Sequence, residues 1–203
     1  MEKKELLYDL QQKTVEADLP LKESAANIVF GKGNPEAEIM FIGEAPGDNE
    51  DKQGLPFVGS AGKNLDALLR LIGLTIDDVY IANILKYRPP KNRNPSMDEI
   101  RSHTPYLVEQ IKVISPKVIC TLGNFSTKFV LANMMPEKMK NIGGITSLHG
   151  NVKSVQIKDK VVKVMPSYHP AAMLYNPNLR PKIEEDFHVL KRIVTDTINQ
   201  KHL

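Results

Sequence analysis

A stretch rich in glycine and carboxylates, residues 43–62 (GEAPGDNEDKQGLPFVGSAG), is the first candidate for a chemical site. It holds five of the twelve glycines in the chain. Glycine lets main-chain amides come close to a ligand, because no Cβ stands in the way. Carboxylates such as Glu44 and Glu50 can orient a water molecule or face a developing positive charge. The stretch therefore predicts a site in which backbone groups and carboxylates contact one bound molecule.

Other segments with chemically capable side chains each follow a short apolar run. Asn83 comes near the end of one such run, GNFS (123–126) follows another, and His169 lies within SYHPAAML (167–174). In an open α/β sheet the ligand site lies beyond the carboxyl ends of the strands. These segments and residues 43–62 are therefore expected to converge on one crevice.

The elements that would position these residues follow an α/β pattern, because short apolar runs alternate with amphipathic stretches. The runs are almost continuously apolar, which is typical of buried parallel strands. They predict an α/β protein, a three-layer α/β/α sandwich with a short, mainly parallel four-stranded central sheet, in a single domain over 1–203. The predicted strands are 38–44, 78–85, 117–123 and 160–168, the predicted helices are 61–74, 96–114, 124–134 and 180–200, and 152–164 is a candidate hairpin.

Several common kinds of site are disfavoured by residue spacing. The glycine-rich stretch has neither of the two phosphate-binding patterns, G-x-G-x-x-G and G-x-x-x-x-G-K-[ST]. None of the five histidines forms H-E-x-x-H or a close His–carboxylate pair on one helix face. No nucleophile-elbow sequence is present either. We therefore expect no metal ion and no nucleotide cofactor.

Composition sets outer bounds on the class of protein. The single cysteine, Cys120, lies in an apolar run, which predicts a small core residue and excludes a disulfide framework. No apolar run reaches the roughly 18 residues that a membrane span needs. The formal net charge of +3 is compatible with an anionic partner but does not demand one. We expect a cytoplasmic protein that does not associate with membranes and is a monomer.

Five ordered motifs resemble those of the iron–sulfur uracil-DNA glycosylases, often called family four of the uracil-DNA glycosylase superfamily. The resemblance runs from about Val29 to about Arg192, which is most of the chain. It implies a DNA repair enzyme that flips uracil out of DNA, hydrolyses its N-glycosidic bond and leaves an abasic site. The motifs are GEAPGDNED, GLPFVGSAG, YIANILKYRPPKNRNP, KVICTLGNFSTK and SYHPAAML.

The resemblance implies a role for each residue of the crevice. Phe57 would be the face on which uracil stacks, and Asn83 would read O4 and N3 of the base through its carboxamide. His169 would donate to uracil O2 and stabilise the departing anion. Glu44 or Glu50 would orient the attacking water, and the motif leaves open which of them does so. The backbone groups implied to contact the base and sugar are those of Ala45 and Gly47.

DNA contacts are expected around the crevice. The proline-stiffened run KYRPPKNR (86–93) carries four cations that are suited to phosphate contacts. GNFS is predicted to begin a helix, whose free amides can bind another phosphate. Residues 174–180 resemble the loop that enters the duplex where the base leaves. The candidate DNA-binding residues are Lys86, Arg88, Lys91, Arg93, Asn124, Ser126 and Arg180.

The chain departs from the family at the cluster ligands. The positions that align with the four cluster cysteines hold Glu16, Leu19, Tyr87 and His103. An iron–sulfur cluster needs thiolates, so we expect none here. Instead, Leu19 and Tyr87 are predicted to fill the vacated volume and His103 to hydrogen-bond to Glu16. The apolar spacing of residues 6–19 predicts a docked N-terminal helix and turn.

Two alternatives to an active, cluster-free glycosylase come from other classes of protein. One is a DNA-binding relative that has lost catalysis together with its cluster. The retention of Glu44, Phe57, Asn83 and His169 argues against it. The other is an unrelated nucleotide-binding enzyme, which the missing phosphate-binding patterns disfavour.

Overall fold

The computed structural model describes residues 2–199, so residue 200, the predicted end of the last helix, lies outside the described part. The strands are β1 (Lys32–Gly33), β2 (Ile39–Gly43), β3 (Val79–Asn83), β4 (Val118–Leu122), β5 (Lys153–Ile157) and β6 (Lys160–Ser167). The helices are α1 (Lys3–Glu16), α2 (Asp48–Gln53), α3 (Ser60–Leu71), α4 (Met97–Ile114), α5 (Asn124–Leu131), α6 (Ile145–Leu148), α7 (Ala172–Tyr175) and α8 (Arg180–Asn199).

The sheet has six strands in the order β1-β3-β2-β4-β6-β5, so the predicted four-stranded sheet is too small. The four predicted strands form its parallel centre, in which β2 pairs with β3 and β4, and β4 pairs with β6. The two additional strands pair antiparallel at the edges, β1 with β3 and β5 with β6. The second pair is the hairpin expected within 152–164. The sequence does not reveal β1, because two residues are too few to carry a periodic pattern.

Helices pack against both faces of the sheet. Along β2, Met40 and Ile42 belong to the core on one face, whereas Ile39 and Phe41 belong to the core on the other. This division follows from the alternation of side chains along a strand. Helices α1, α4 and α5 contribute to the first core, and α3 and α8 contribute to the second. Cys120 is fully buried in the second core, as expected of a small core residue.

The carboxyl ends of the parallel strands meet at one edge of the sheet, because β2, β3, β4 and β6 run in the same direction. The segments that follow β2, β4 and β6 are those singled out from the sequence, and β3 ends at Asn83. The fold therefore brings the predicted chemical segments together. Within residues 2–199, no helix is both long and apolar enough to cross a membrane.

The segment after α1 packs where the resemblance implies the cluster. Leu19 and Tyr87 are buried, with 7% and 4% of their surfaces exposed. The Tyr87 ring lies edge-on to that of His103, with the ring centroids 6.1 Å apart. These side chains occupy the positions that a cluster would need for its thiolates, so the residues present do not fit an iron–sulfur cluster.

His103 makes a different hydrogen bond from the one predicted. Its Nδ1 accepts a hydrogen bond from the backbone N–H of Lys86 at 2.9 Å, which assigns the proton of the neutral ring to Nε2. Nε2 then donates to the carbonyl oxygen of Pro20 at 3.0 Å. The predicted partner, Glu16, is exposed at the end of α1. A carboxylate in water avoids the cost of burying a charge, and the backbone carbonyl supplies the acceptor instead.

Replacing Leu19 by aspartate is expected to destabilise the protein strongly, because a carboxylate would enter an apolar, buried site. We expect a loss of about 3 kcal/mol of unfolding free energy, which for a chain of this size lowers Tm by roughly 6–12 °C. Tyr8 of α1, which is 63% exposed, provides the control, since Tyr8→Asp should change Tm little. Elemental analysis should find no iron in the wild type or in either variant. Brown protein holding about four irons per chain would contradict this account of the segment.

Candidate active site

A cleft of about 400 Å³ opens at the carboxyl edge of the sheet. Its walls come from the loop after β2, the end of β3 and the segment after β6. Every residue predicted to act on or bind the base lines this cleft. These residues are Glu44, Ala45, Gly47, Glu50, Phe57, Asn83 and His169.

Asn83 presents an unsatisfied buried oxygen to the cleft. The residue is only 2% exposed, and its Oδ1 has no hydrogen-bond partner among the described residues. Buried polar atoms are nearly always paired, so an acceptor of this kind beside a cleft is a candidate contact for a bound molecule. Gly43 makes room for it, because a Cβ at position 43 would lie 2.4 Å from Asn83 Oδ1 and 2.8 Å from the Phe57 ring.

Phe57 and His169 form a pair of aromatic walls. Their ring centroids are 5.4 Å apart and their planes differ by 24°, so the rings are stacked. His169 Nδ1 accepts a hydrogen bond from the N–H of Ala171 at 3.1 Å, which assigns the proton of the neutral ring to Nε2. Burial lowers the pKa of His169 to about 4, against the smaller opposing effect of the Glu50 charge. At neutral pH the residue is therefore an uncharged imidazole whose Nε2–H can donate.

The two carboxylates of the cleft differ in what they contact. Glu50 Oε1 accepts hydrogen bonds from the N–H groups of Val58 and Gly59, both at 2.8 Å. One oxygen of Glu50 is thus committed to holding the loop that carries Phe57. Glu44 is partly exposed, and burial raises the pKa of its carboxyl above the usual range. Such a carboxyl is a better proton acceptor from water than an unperturbed one, because its conjugate acid is weaker.

Lys86 does not reach the surface of the protein, so its predicted phosphate contact is wrong. The side chain is fully buried, and Nζ donates to the carbonyl of Asn83 at 2.8 Å and to Oε1 of Gln110. Burial lowers the pKa of Lys86 to about 7. The side chain turns inward beneath the cleft, where it supports the backbone of Asn83 rather than reaching solvent.

Ser126 is the second residue whose predicted DNA contact is wrong. It is fully buried in the first turn of α5, and its Oγ donates to the carbonyl of Leu122 at 3.0 Å. A hydroxyl that returns to the end of the preceding strand cannot reach a phosphate. Asn124, two residues earlier, is partly exposed, and its Oδ1 accepts from the N–H of Ile145 at 3.2 Å.

The remaining candidate cations stay at the surface. Arg88 donates to Asp48 Oδ1 at 2.7 Å and so connects the basic run 86–93 to α2. Arg93 pairs with Glu99 through the two terminal nitrogens of its guanidinium group. It also lines the cleft. The other two, Lys91 and Arg180, are exposed.

Tyr175 also lines the cleft and was not singled out by residue type. It is 87% exposed at the end of α7, next to Leu174, which is 50% exposed. A signal was present in the sequence, because an aromatic residue directly follows a leucine within the loop predicted to enter the duplex. No group of three or more histidine, cysteine, aspartate or glutamate side chains suited to a metal ion occurs in the part of the chain that the structure describes.

A sequence comparison identifies the class of protein that this fold and cleft define. The model of the uracil DNA glycosylase superfamily matches residues 30–191, close to the extent of the resemblance seen in the motifs. The chain therefore belongs to this superfamily.

Comparisons with individual relatives show which types of uracil-DNA glycosylase this chain resembles. A type-4 uracil-DNA glycosylase of Sulfurisphaera tokodaii is 50% identical over 82% of this chain and 74% of its own length. The type-4 enzyme of Archaeoglobus fulgidus is 47% identical over 82% of both chains. A type-5 uracil-DNA glycosylase of Pyrobaculum aerophilum is 30% identical over 81% of this chain and 74% of its own length. The chain is thus more similar to these type-4 relatives than to this type-5 relative.

Proposed function

We propose that this protein is a monofunctional uracil-DNA glycosylase, which hydrolyses the N-glycosidic bond of a flipped uracil and leaves an abasic site. One observation carries the proposal: the buried, unpaired oxygen of Asn83 faces a cleft walled by Phe57 and His169. The membership of the superfamily and the type-4 relatives support it.

Base recognition is assigned to Asn83 and Phe57. The carboxamide of Asn83 offers one acceptor and two donors. Its Oδ1 can accept from N3–H of uracil while Nδ2 donates to O4, whereas cytosine presents the opposite pattern at these positions. The Phe57 ring supplies an apolar face against which a flat base stacks, and such stacking is worth about 1–3 kcal/mol per base. Together the two residues select a flat base with the hydrogen-bonding edge of uracil.

Bond cleavage requires that negative charge on the departing base be stabilised. The Nε2–H of His169 is assigned to uracil O2, and the backbone N–H of Ala45 to the same oxygen. A neutral histidine suits this role, because a fixed donor in a partly dry cleft stabilises an anion without requiring a proton transfer. Gly47 belongs to the same loop and lets the backbone approach the base and sugar.

Water activation is assigned to Glu44. Burial raises the pKa of the Glu44 carboxyl. One oxygen of Glu50 is occupied by the amides of the Phe57 loop. A carboxylate beside the sugar also stabilises the positive charge that develops there as the glycosidic bond lengthens. Glu50 is accordingly assigned to support of the site.

The DNA backbone is proposed to contact the rim of the cleft. Arg93 lines the cleft, Arg88 and Lys91 lie on the same segment of chain, and Arg180 begins α8. Such cations contribute salt-dependent affinity for phosphates. Asn124 at the start of α5 is a further phosphate contact. We also propose that the chain acts as one domain and one monomer, in the cytoplasm and without a cofactor.

A strand-cleavage assay tests the function. The protein should release uracil from a labelled oligonucleotide that contains one deoxyuridine, so that hot alkali cuts the strand at the resulting abasic site. Activity should survive excess EDTA, because water and the chain's own residues suffice for hydrolysis. An oligonucleotide with thymine at the same position serves as the control. An intact strand after prolonged incubation would favour a DNA-binding protein that has lost catalysis.

A further inference from the structure

The backbone at Phe57 has a left-handed conformation, with φ of 52°. Residues with a Cβ rarely adopt this conformation, and they keep it only where the surroundings impose it. Phe57 is also a wall of the cleft and stacks with His169. The groups that impose the left-handed conformation therefore determine the position of the Phe57 ring in the cleft.

Two residues lie close to the carbonyl of Phe57. Lys32 Nζ donates a hydrogen bond to it at 3.0 Å. Gly62 lies so close that a Cβ there would be 1.9 Å from the same oxygen. The next two amides, of Val58 and Gly59, are held by Glu50. A rotation of Phe57 to an ordinary backbone conformation would have to break the hydrogen bond from Lys32 and those to Glu50.

Lys32 comes from a separate element of the fold. It lies on β1, where it pairs with Ile81 of β3 at the edge of the sheet. The neighbouring Gly33 has a φ of 108°, and a Cβ there would lie 2.2 Å from the carbonyl oxygen of Val79. The short strand is therefore docked closely, and it presents Lys32 to the Phe57 loop from a fixed position.

Lys32 is partly buried, although lysine ordinarily keeps its ammonium group in water. Burial lowers the pKa of Lys32, while the charges of Asp66 and Glu50 act in the opposite direction. A partly desolvated ammonium that donates to the carbonyl of a left-handed residue in the cleft wall is the arrangement expected of a support for that turn. Lys32 itself is not among the residues that line the cleft.

We propose that Lys32 is a positioning residue for uracil excision, which holds Phe57 in its left-handed conformation and thereby places the stacking face for the base. This inference rests on the proposed function, because it concerns how the same cleft receives its substrate. The ammonium acts through the Phe57 carbonyl, and Glu50 completes the support at the following amides.

Kinetics of Lys32 variants give the first test. Lys32→Met keeps most of the stem and removes the donor, so single-turnover excision should slow by about 10- to 100-fold, as small misplacements of a substrate-positioning group do. Affinity for abasic-site DNA should not change. Lys32→Arg restores a donor and should recover the rate to within about threefold of the wild type. The matched control is Lys117→Met, which removes another partly buried lysine. Lys117 pairs with Glu38, and the two residues directly precede β4 and β2.

A fluorine probe gives the second test, independent of activity. With 4-fluorophenylalanine at position 57, the fluorine resonance should be single in the wild type, Lys32→Arg and Lys117→Met, and shifted or split in Lys32→Met. All variants are compared below their measured Tm. A Lys32→Met protein that matches Lys117→Met in rate, or whose fluorine resonance is unchanged, overturns the proposal, as does failure of arginine to restore the rate. If the wild type releases no uracil, the proposed function fails, and the fluorine spectra still decide whether Lys32 positions Phe57.

Discussion

Replacing His169 by alanine is expected to slow single-turnover release of uracil by about 100-fold or more, which is the usual cost of losing one fixed donor to a developing anion. The ring is held in place by the N–H of Ala171 and by stacking with Phe57, so its Nε2–H needs little rearrangement to donate. Because the pKa of His169 is lowered to about 4, the imidazole is neutral throughout the ordinary assay range. The rate of the wild type should therefore show no titration of this group between pH 6 and pH 8, a window well above that pKa.

The exposed His188 of α8 provides a matched control for this variant. His188→Ala removes the same ring from a surface outside the cleft, and its excision rate should equal that of the wild type. Both variants should bind abasic-site DNA as the wild type does, since neither residue is assigned to the phosphates. A His169→Ala protein that releases uracil at the wild-type rate would contradict the role given to this histidine.

The side chains at the strand ends could be predicted from sequence because their positions follow from topology. Once β2, β3 and β6 are identified as parallel strands, Glu44, Asn83 and His169 must lie near one another. The structure places all three at one cleft. Their assignment to uracil came from the resemblance, because an asparagine at a strand end is otherwise compatible with many ligands.

The inward turn of Lys86 could not be predicted from the sequence. Lys86 begins a run of basic residues. Within such a run, nothing in the sequence distinguishes a side chain that faces solvent from one that turns inward. The difference arises from tertiary contacts, because α4 supplies Gln110 and β3 supplies the Asn83 carbonyl as partners for the ammonium. The same limit applies to Lys32, whose partner Phe57 lies 25 residues away.

The proposed selectivity for uracil requires that Asn83 be firmly held. Its side chain is buried at the end of β3, and its carbonyl accepts the hydrogen bond from Lys86. Above it, Gly43 leaves just enough room for the carboxamide oxygen. A side chain so confined has few accessible rotamers, so its carboxamide is held at one place in the cleft. Changing its donor or its acceptor should therefore change which base is accepted.

Replacing Asn83 by aspartate is expected to lower uracil excision, by about 100-fold or more where the carboxyl is ionised, and to raise cytosine excision above the wild-type level. Burial disfavours the charged form of a carboxyl, so the new side chain would be an acid with one O–H donor or an acceptor-only carboxylate. The carboxylate has no donor for uracil O4, whereas the acid can carry its proton on either oxygen and so no longer distinguishes uracil from cytosine. Both forms can accept from the amino group of cytosine. Asn83→Ala is the control, because it loses the contacts to both bases and should excise neither well. The measurement is single-turnover cleavage of matched oligonucleotides that hold uracil or an unpaired cytosine at one position. Cytosine excision by Asn83→Asp no faster than by Asn83→Ala would show that hydrogen bonding by residue 83 does not set the choice of base.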